Sequence, residues 1–200
     1  MGDSVLTEII LRRHLKLLPN QFNDFFKTFT FTNGGMVYEK ISFRLGQRLL
    51  LLPFIGPLVS RFQATFPGLA RKFSAQQLSS IMNHENEELK HEDIEAIQRL
   101  TKWNDGHLIS HKLGSYLLDR QRFQSRWFRA LQAHLGKPTM LFWADSDPVS
   151  PMDIPKYLAQ FVFKPEDVTG KVLRKAGHFL MLEEPIKWSE VVAGFVLSHK

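Results

Sequence analysis

The chain has 200 residues, 44% of them hydrophobic and 23% charged, with a net charge of +6 and no cysteine. That length holds one domain, or one core with an inserted lid. The absence of cysteine excludes disulfides, thiolate metal sites and cysteine nucleophiles. The surplus positive charge is scattered and no helix-turn-helix, finger or RNA-binding pattern accompanies it, so nucleic acid is not an expected partner.

Taken in order, Asp3 or Ser4 caps a helix predicted over residues 3 to 18, which Pro19 and Asn20 end. Phe29 and Phe31 alternate with Thr28, Thr30 and Thr32, the period of a strand, and Asn33-Gly34-Gly35 stops it. Residues 40 to 135 read as mostly helical, broken by Pro and Gly at 53 to 57 and at 67 to 68, with an acidic helix over 85 to 100. Leu49 to Val59 is strongly apolar, but it is too short to span a bilayer and Pro53, Gly56 and Pro57 interrupt it. It reads as part of a lid, or as a segment that touches a membrane surface. Strands return with Thr139 to Asp145 and Val168 to Leu173, separated by a helix over Ile154 to Phe161 and followed by a helix after Pro185.

Alternating strand and helix implies a parallel sheet covered by helices, and an inserted helical block implies a lid over the sheet's carboxyl edge, where ligands bind in such folds. The predicted domains are a core segment over 1–39, a helical cap over 40–136 and a second core segment over 137–200. About three strands are a poor sheet, with long unpaired edges, so the pattern reads as the second half of a larger α/β fold.

Two loops carry chemistry. Asp145-Ser146-Asp147-Pro148 follows one apolar strand, and Gly177-His178 follows the next. A carboxylate and a histidine at neighbouring strand ends can meet. The carboxylate then fixes the imidazole tautomer and stabilises its charged form, so that the histidine works as a general base. Other candidates carry less. Asp3 and Ser4 lack the preceding strand that a nucleophile needs and read as a helix cap. His107 and His111 stand i, i+4 apart without the Glu of a zinc motif; His84 and His91 read as a solvated face; Gly34-Gly35 lacks the Lys of a phosphate loop. No metal or cofactor is expected. Arg120, Arg122, Arg126 and Arg129, interleaved with Phe123, Trp127 and Phe128, read as an amphipathic helix with a solvated charged face; the alternative is a phosphate or lipid-headgroup patch.

The run Asp147-Pro148-Val149-Ser150-Pro151, the run Ala176 to Pro185, and the spacing between Asp147 and His178 resemble the acid and histidine loops of α/β-hydrolases. Within that superfamily the likeness is to the epoxide hydrolase and haloalkane dehalogenase branch. The resemblance implies an α/β fold: the carboxy-terminal half of an α/β-hydrolase, a partial parallel sheet with flanking helices and a helical cap insertion. It implies hydrolysis of an apolar ester-, epoxide- or halide-type small molecule. An Asp nucleophile would attack carbon, and His178, oriented by Asp147, would activate the water that cleaves the ester intermediate. Asp145 competes with Asp147, but the Pro four positions beyond Asp147 favours the latter. Asn33 occupies the family's other acid position and cannot serve as a carboxylate; it is expected to face substrate, as are Trp103, Tyr116 and Trp127 of the cap. Met1-Gly2-Asp3-Ser4 matches the last part of the family's nucleophile elbow, so the expected nucleophile stands one position before Met1 and the chain reads as truncated. Relatives of this kind imply the endoplasmic reticulum, although no signal peptide or membrane span is visible. The alternative is a catalytically inactive hydrolase-fold protein with a binding or regulatory role.

Overall fold

In a computed structural model, residues 2–22, 25–83, 85, 87–134 and 136–199 are described. His84 and the residue ahead of Gly2 lie outside them. The elements run α1 (Gly2–His14), β1 (Phe29–Thr32), α2 (Leu45–Leu51), α3 (Ile55–Thr65), α4 (Pro67–Ser79), α5 (Glu87–Lys102), α6 (Ser110–Gly114), α7 (Tyr116–His134), β2 (Thr139–Ala144), α8 (Asp153–Phe161), β3 (Val168–Leu173), α9 (Leu180–Glu183) and α10 (Pro185–Leu197).

The three strands form a parallel sheet in the order β1-β2-β3. Phe31 stands opposite Leu141, and Leu141 opposite Gly170. The central strand β2 is buried along its whole length, and its alternation sorts the core into two layers. Leu141 and Trp143 join Phe29, Phe31, Ile10, Leu131, Ile154 and Leu158 beneath α1, α7 and α8. Met140, Phe142 and Ala144 face the other way and meet Leu180, Phe195 and the Trp188 flank of α10. Each buried Leu, Ile or Phe adds about 1.5–3 kcal/mol of transfer free energy. The outer strand β3 has an exposed middle, with Val172 half open to solvent.

Where elements differ from the sequence expectation, the cause is local. Helix α1 stops at His14, not 18, because Lys16 adopts a left-handed φ of 54°. Leu17 N–H then reaches Arg12 C=O at 2.8 Å and Lys16 N–H reaches Arg13 C=O at 3.0 Å, a Schellman closure made without glycine. The last part of the block read as mostly helical, beyond α5, is divided. Asn104 and Asp105 take left-handed φ of 49° and 58°, tight 3₁₀ turns continue to Ile109, and α6 precedes α7. A short helix, α9, lies inside the stretch read as a loop after His178.

Helix α7 packs along α1. The expectation of a solvated arginine face fails at Arg120, which is buried and donates to Ser4 Oγ at the start of α1. Arg126 and the Trp127 indole both donate to Glu8 Oε2, at 2.8 and 2.7 Å. Arg122 and Arg129 do remain exposed.

Candidate active site

The polar site forms at the carboxyl edge of the sheet, where three loops meet. β2 delivers the first. Its hydrophobic strand ends at Ala144, and the Trp143 indole donates to Ser150 C=O at 2.8 Å, which folds the loop back on the strand. Asp147 sits inside that fold with its side chain fully enclosed. Its Oδ1 accepts from Val149 N–H at 2.8 Å and Ser150 N–H at 3.0 Å, the local bonding that aspartate favours in a turn. Its Oδ2 is left for His178 Nδ1, at 2.8 Å. An ionised carboxylate can only accept, so Nδ1–H donates, and in the neutral imidazole Nε2 then carries the lone pair. Of the two aspartates in this loop, Asp147 therefore meets the imidazole. Asp145 Oδ1 instead accepts from Lys175 N–H at 2.8 Å and supports the left-handed turn, φ 61°, that leads into the histidine loop.

Asn33, at the end of β1, takes a left-handed φ of 43° and points its amide into the sheet edge. Its Nδ2 donates to Gly177 C=O at 2.8 Å and His178 C=O at 3.1 Å, and its Oδ1 accepts from Ala144 N–H at 2.8 Å. The side chain is a crossbeam between β1, β2 and the histidine loop. Ser150 Oγ adds a bond to Gly34 C=O at 2.9 Å. A Cβ on Gly34 would occupy the space of the Asp3 carboxylate, so any larger residue there would displace that group. Burial raises the Asp3 pKa above its ordinary value, while Arg120 and His178 oppose the shift. Burial also lowers the Arg120 pKa and raises that of Tyr116, two groups in the same electrostatic cluster.

The histidine loop is clamped to the helical block. Buried Glu183 accepts from Gly177 N–H at 2.6 Å, Phe179 N–H at 2.9 Å and Asn83 N–H at 2.9 Å. His178 N–H donates to Ile81 C=O at 2.8 Å. The backbones pass so closely that a Cβ on Gly177 would meet Ile81 O at 2.6 Å and Asn83 N at 2.8 Å. Glu183 carried no role in the sequence reading; its fixed place between His178 and Pro185 was the available signal.

A cavity of about 350 Å³ opens beside His178. Leu50, Phe73, Leu78, Ile81 and Phe179 give it an apolar wall, and Gln47, Gln63, Gln98 and His107 add polar points. Two lining groups, Arg44 Nε and His107 Nδ1, are buried without a protein partner. The four residues expected to face substrate lie elsewhere. Asn33 is the crossbeam. Trp127 packs with Leu11 and Ala130 between α1 and α7. Tyr116 is half-buried beside Asp3 and Arg120, and Trp103 is 79% exposed. Most of the residues that do line the cavity come from α2, α4 and α5, with Gln63 from α3, and their irregular spacing conceals which side faces inward. His111 is engaged by Ser60 Oγ at 3.0 Å, and no cluster of three or more metal-ligating side chains occurs among the described residues. No helix among the described residues is long and apolar enough to cross a membrane.

Comparison with known proteins bears on the fold. A family model described as alpha/beta hydrolase fold matches residues 2–185. A putative hydrolase, LipZ, of Mycobacterium tuberculosis is 28% identical over 98% of this chain and 63% of its own length. The chain thus spans under two thirds of the curated relatives it matches. Among solved structures, the Cif epoxide hydrolase of Acinetobacter nosocomialis superposes with a TM-score of 0.54 at 17% identity, covering 86% of this chain and 54% of that one. A thermophilic esterase of Thermogutta terrifontis gives 0.58 at 14% identity over 86% and 57%. A 2-hydroxy-6-oxo-6-phenylhexa-2,4-dienoate hydrolase of Rhodococcus gives 0.59 at 13% identity over 98% and 61%. At these identities the structures share the fold.

Proposed function

Because the chain belongs to the α/β-hydrolase fold family, we propose that it supplies the base and acid of a covalent hydrolase, with His178 as general base and Asp147 as its orienting carboxylate. The observation that carries this reading is the 2.8 Å bond from His178 Nδ1 to an otherwise enclosed Asp147, at the mouth of an apolar cavity. The attacking group in this proposal is a carboxylate other than Asp147, brought to the mouth of the cavity beside His178. It displaces the leaving group from a carbon of the substrate and forms an ester. His178 Nε2 then takes a proton from water and the hydroxide adds to the ester carbonyl; the tetrahedral intermediate collapses by breaking the acyl C–O bond, the departing alkoxide takes the proton from His178 and leaves as the alcohol product, and the attacking carboxyl group is regenerated.

The helical block acts as cap. Its apolar wall suits a small molecule with an apolar body of ester, epoxide or halide type. Arg44 Nε and His107 Nδ1, which have no protein partner, would stabilise charge on the departing atom. A narrower likeness supports the epoxide-hydrolase-like branch: Thr32 to Gly35, Trp103 to Gly106 and the Arg-, Phe- and Trp-rich α7 resemble the mesoderm-specific transcript protein. The same likeness is the support for an endoplasmic reticulum address.

The test is to express residues 1–200 alongside a form extended upstream by its own transcript. The extended form should hydrolyse ester or epoxide probes, and His178→Ala in it should stall as a covalent adduct visible by mass spectrometry. Turnover indifferent to His178→Ala would sink the reading. Failure of both forms to turn over any probe, with the cavity still binding apolar ligands, would favour the catalytically inactive binding role.

A further inference from the structure

Helix α3 is built inside out. Its inward face carries Gly56 and Ser60, both buried, and Gln63, which lines the cavity. Ser60 Oγ bonds the His111 ring at 3.0 Å and accepts from His111 N–H at 3.3 Å. Gly56 lies so close to the Leu50 carbonyl and to His111 that no side chain would fit. The outward face carries the apolar residues. Ile55, Leu58, Phe62 and Phe66 recur at helical spacing and are all exposed, Leu58 by 62%, and Phe54 beside them is 87% exposed. The Phe62 and Phe66 rings pack against each other, tilted by 40° with centroids 5.1 Å apart, so the stripe is continuous. A helix of a water-bathed domain turns its apolar stripe to the core; contiguous exposed apolar surface marks a contact site.

The charge pattern selects the occupant. Between positions 41 and 83 there is no acidic residue, whereas Arg44, Arg48, Arg61, Arg71 and Lys72 are present. Arg48, Arg61 and Lys72 are exposed, while Arg71 is paired with Glu95 at 3.1 Å. The acidic helix α5 packs on α4. A second copy of this face would set cation against cation. An anionic bilayer would take the apolar stripe into its headgroup boundary and the arginines against its phosphates, as interfacial helices do.

We propose that the outer face of α3, with Phe54, Ile55, Leu58, Phe62 and Phe66, docks onto an anionic lipid surface, and that it does so independently of catalysis. Because Gln63 of the same helix lines the cavity, docking sets the cavity wall against the membrane and favours substrates drawn from it.

The test uses residues 1–200 and vesicles of phosphatidylcholine alone or with about 30% phosphatidylserine. The protein should pellet with the anionic vesicles and be released as salt rises. Leu58→Glu with Phe62→Glu should weaken partitioning at least tenfold, and Arg61→Glu severalfold, with circular dichroism unchanged. Should the double variant misfold, Phe54→Trp gives an independent reading, since its added emission should move blue and be quenched by brominated lipid. His178→Ala should bind as the parent does, which separates this inference from the hydrolase reading. No pelleting with anionic vesicles, or pelleting untouched by both the Glu and the Arg61 variants, overturns it. So does a concentration-dependent dimer in sedimentation velocity that Leu58→Glu abolishes, because the occupant is then a second copy.

Discussion

The two ends of the cavity are built on opposite principles. At the sheet edge, Asp147, Asn33 and Glu183 each make three hydrogen bonds to protein partners, and the strand beneath them is buried throughout. In the helical block, Arg44 Nε and His107 Nδ1 are buried without a protein partner, and α3 turns its apolar stripe outward. A satisfied network holds its geometry before any ligand arrives, which a general base requires. Unpaired polar groups and exposed apolar surface gain free energy only from something outside the chain. The difference teaches where to look for each property: reaction type at the sheet edge, substrate choice and location in the helices.

The sharpest way to break this comparison is to spoil the edge network at its centre. Asp147→Asn keeps the size of the side chain but turns an acceptor-only group into one that can donate to Nδ1. That would favour the tautomer with Nε2 protonated, unable to take a proton from water. In whichever form turns over a hydrolase probe, kcat should fall by about 10³- to 10⁴-fold, while apolar ligand binding in the cavity stays within about twofold, since Asp147 is enclosed away from it. Stopped-flow turnover beside a fluorescence titration separates the two; equal losses in both would show that the edge and the cavity are one unit. The next effect is on folding. Glu183→Ala leaves the N–H groups of Gly177, Phe179 and Asn83 without their acceptor, and should cost about 3 kcal/mol in urea unfolding. A cost under about 1 kcal/mol would mean that the clamp between the histidine loop and the helices is idle.

How much of this could be read beforehand also divides along the same line. The strands, their parallel order and the pairing of Asp147 with His178 follow from short apolar runs, turn residues and loop position, all local signals. Asn33 was legible as a residue of the site edge but not as a crossbeam. Its partners, at Ala144, Gly177 and His178, are more than a hundred positions away, and no local pattern encodes that register. Arg120 misled for a related reason: on helical periodicity it belongs to a charged face, yet packing of α7 on α1 buries it against Ser4. Trp103, Tyr116 and Trp127 were singled out as large aromatic residues of a cap. Size says that a residue contributes to packing or contact, whereas the inward direction of a cap helix depends on neighbours that irregular breaks at 53–57 and 67–68 make unreadable.

Asn33→Ala sharpens the comparison at intermediate scale. It frees two carbonyls and one buried N–H, so stability should drop by about 2 kcal/mol. The histidine loop should loosen, with amide exchange rising at Gly177 and His178 while α3 and α4 keep their rates. Faster exchange spread evenly through the helices would erase the distinction between the two ends.

The smallest effect tests the seam where the two regions join. Burial alone would raise the Glu8 pKa, but hydrogen bonds from Trp127, Arg12 and Arg126 outweigh it and bring it below the ordinary glutamate value of 4.5. A carboxyl depressed in the folded state stabilises above its unfolded pKa, and that contribution is lost as pH falls through the folded one. Both arginines are well exposed, 58% and 45%, so solvent screening holds the gain to about 0.5 kcal/mol. Glu8→Gln keeps an acceptor for the Trp127 indole and removes only the charge. At neutral pH it should therefore unfold at slightly lower urea than the parent, and the gap should close below pH 4.5 and shrink in high salt. A gap that persists in acid would mean that α7 is held to α1 by shape and the indole bond, with charge contributing nothing to the seam.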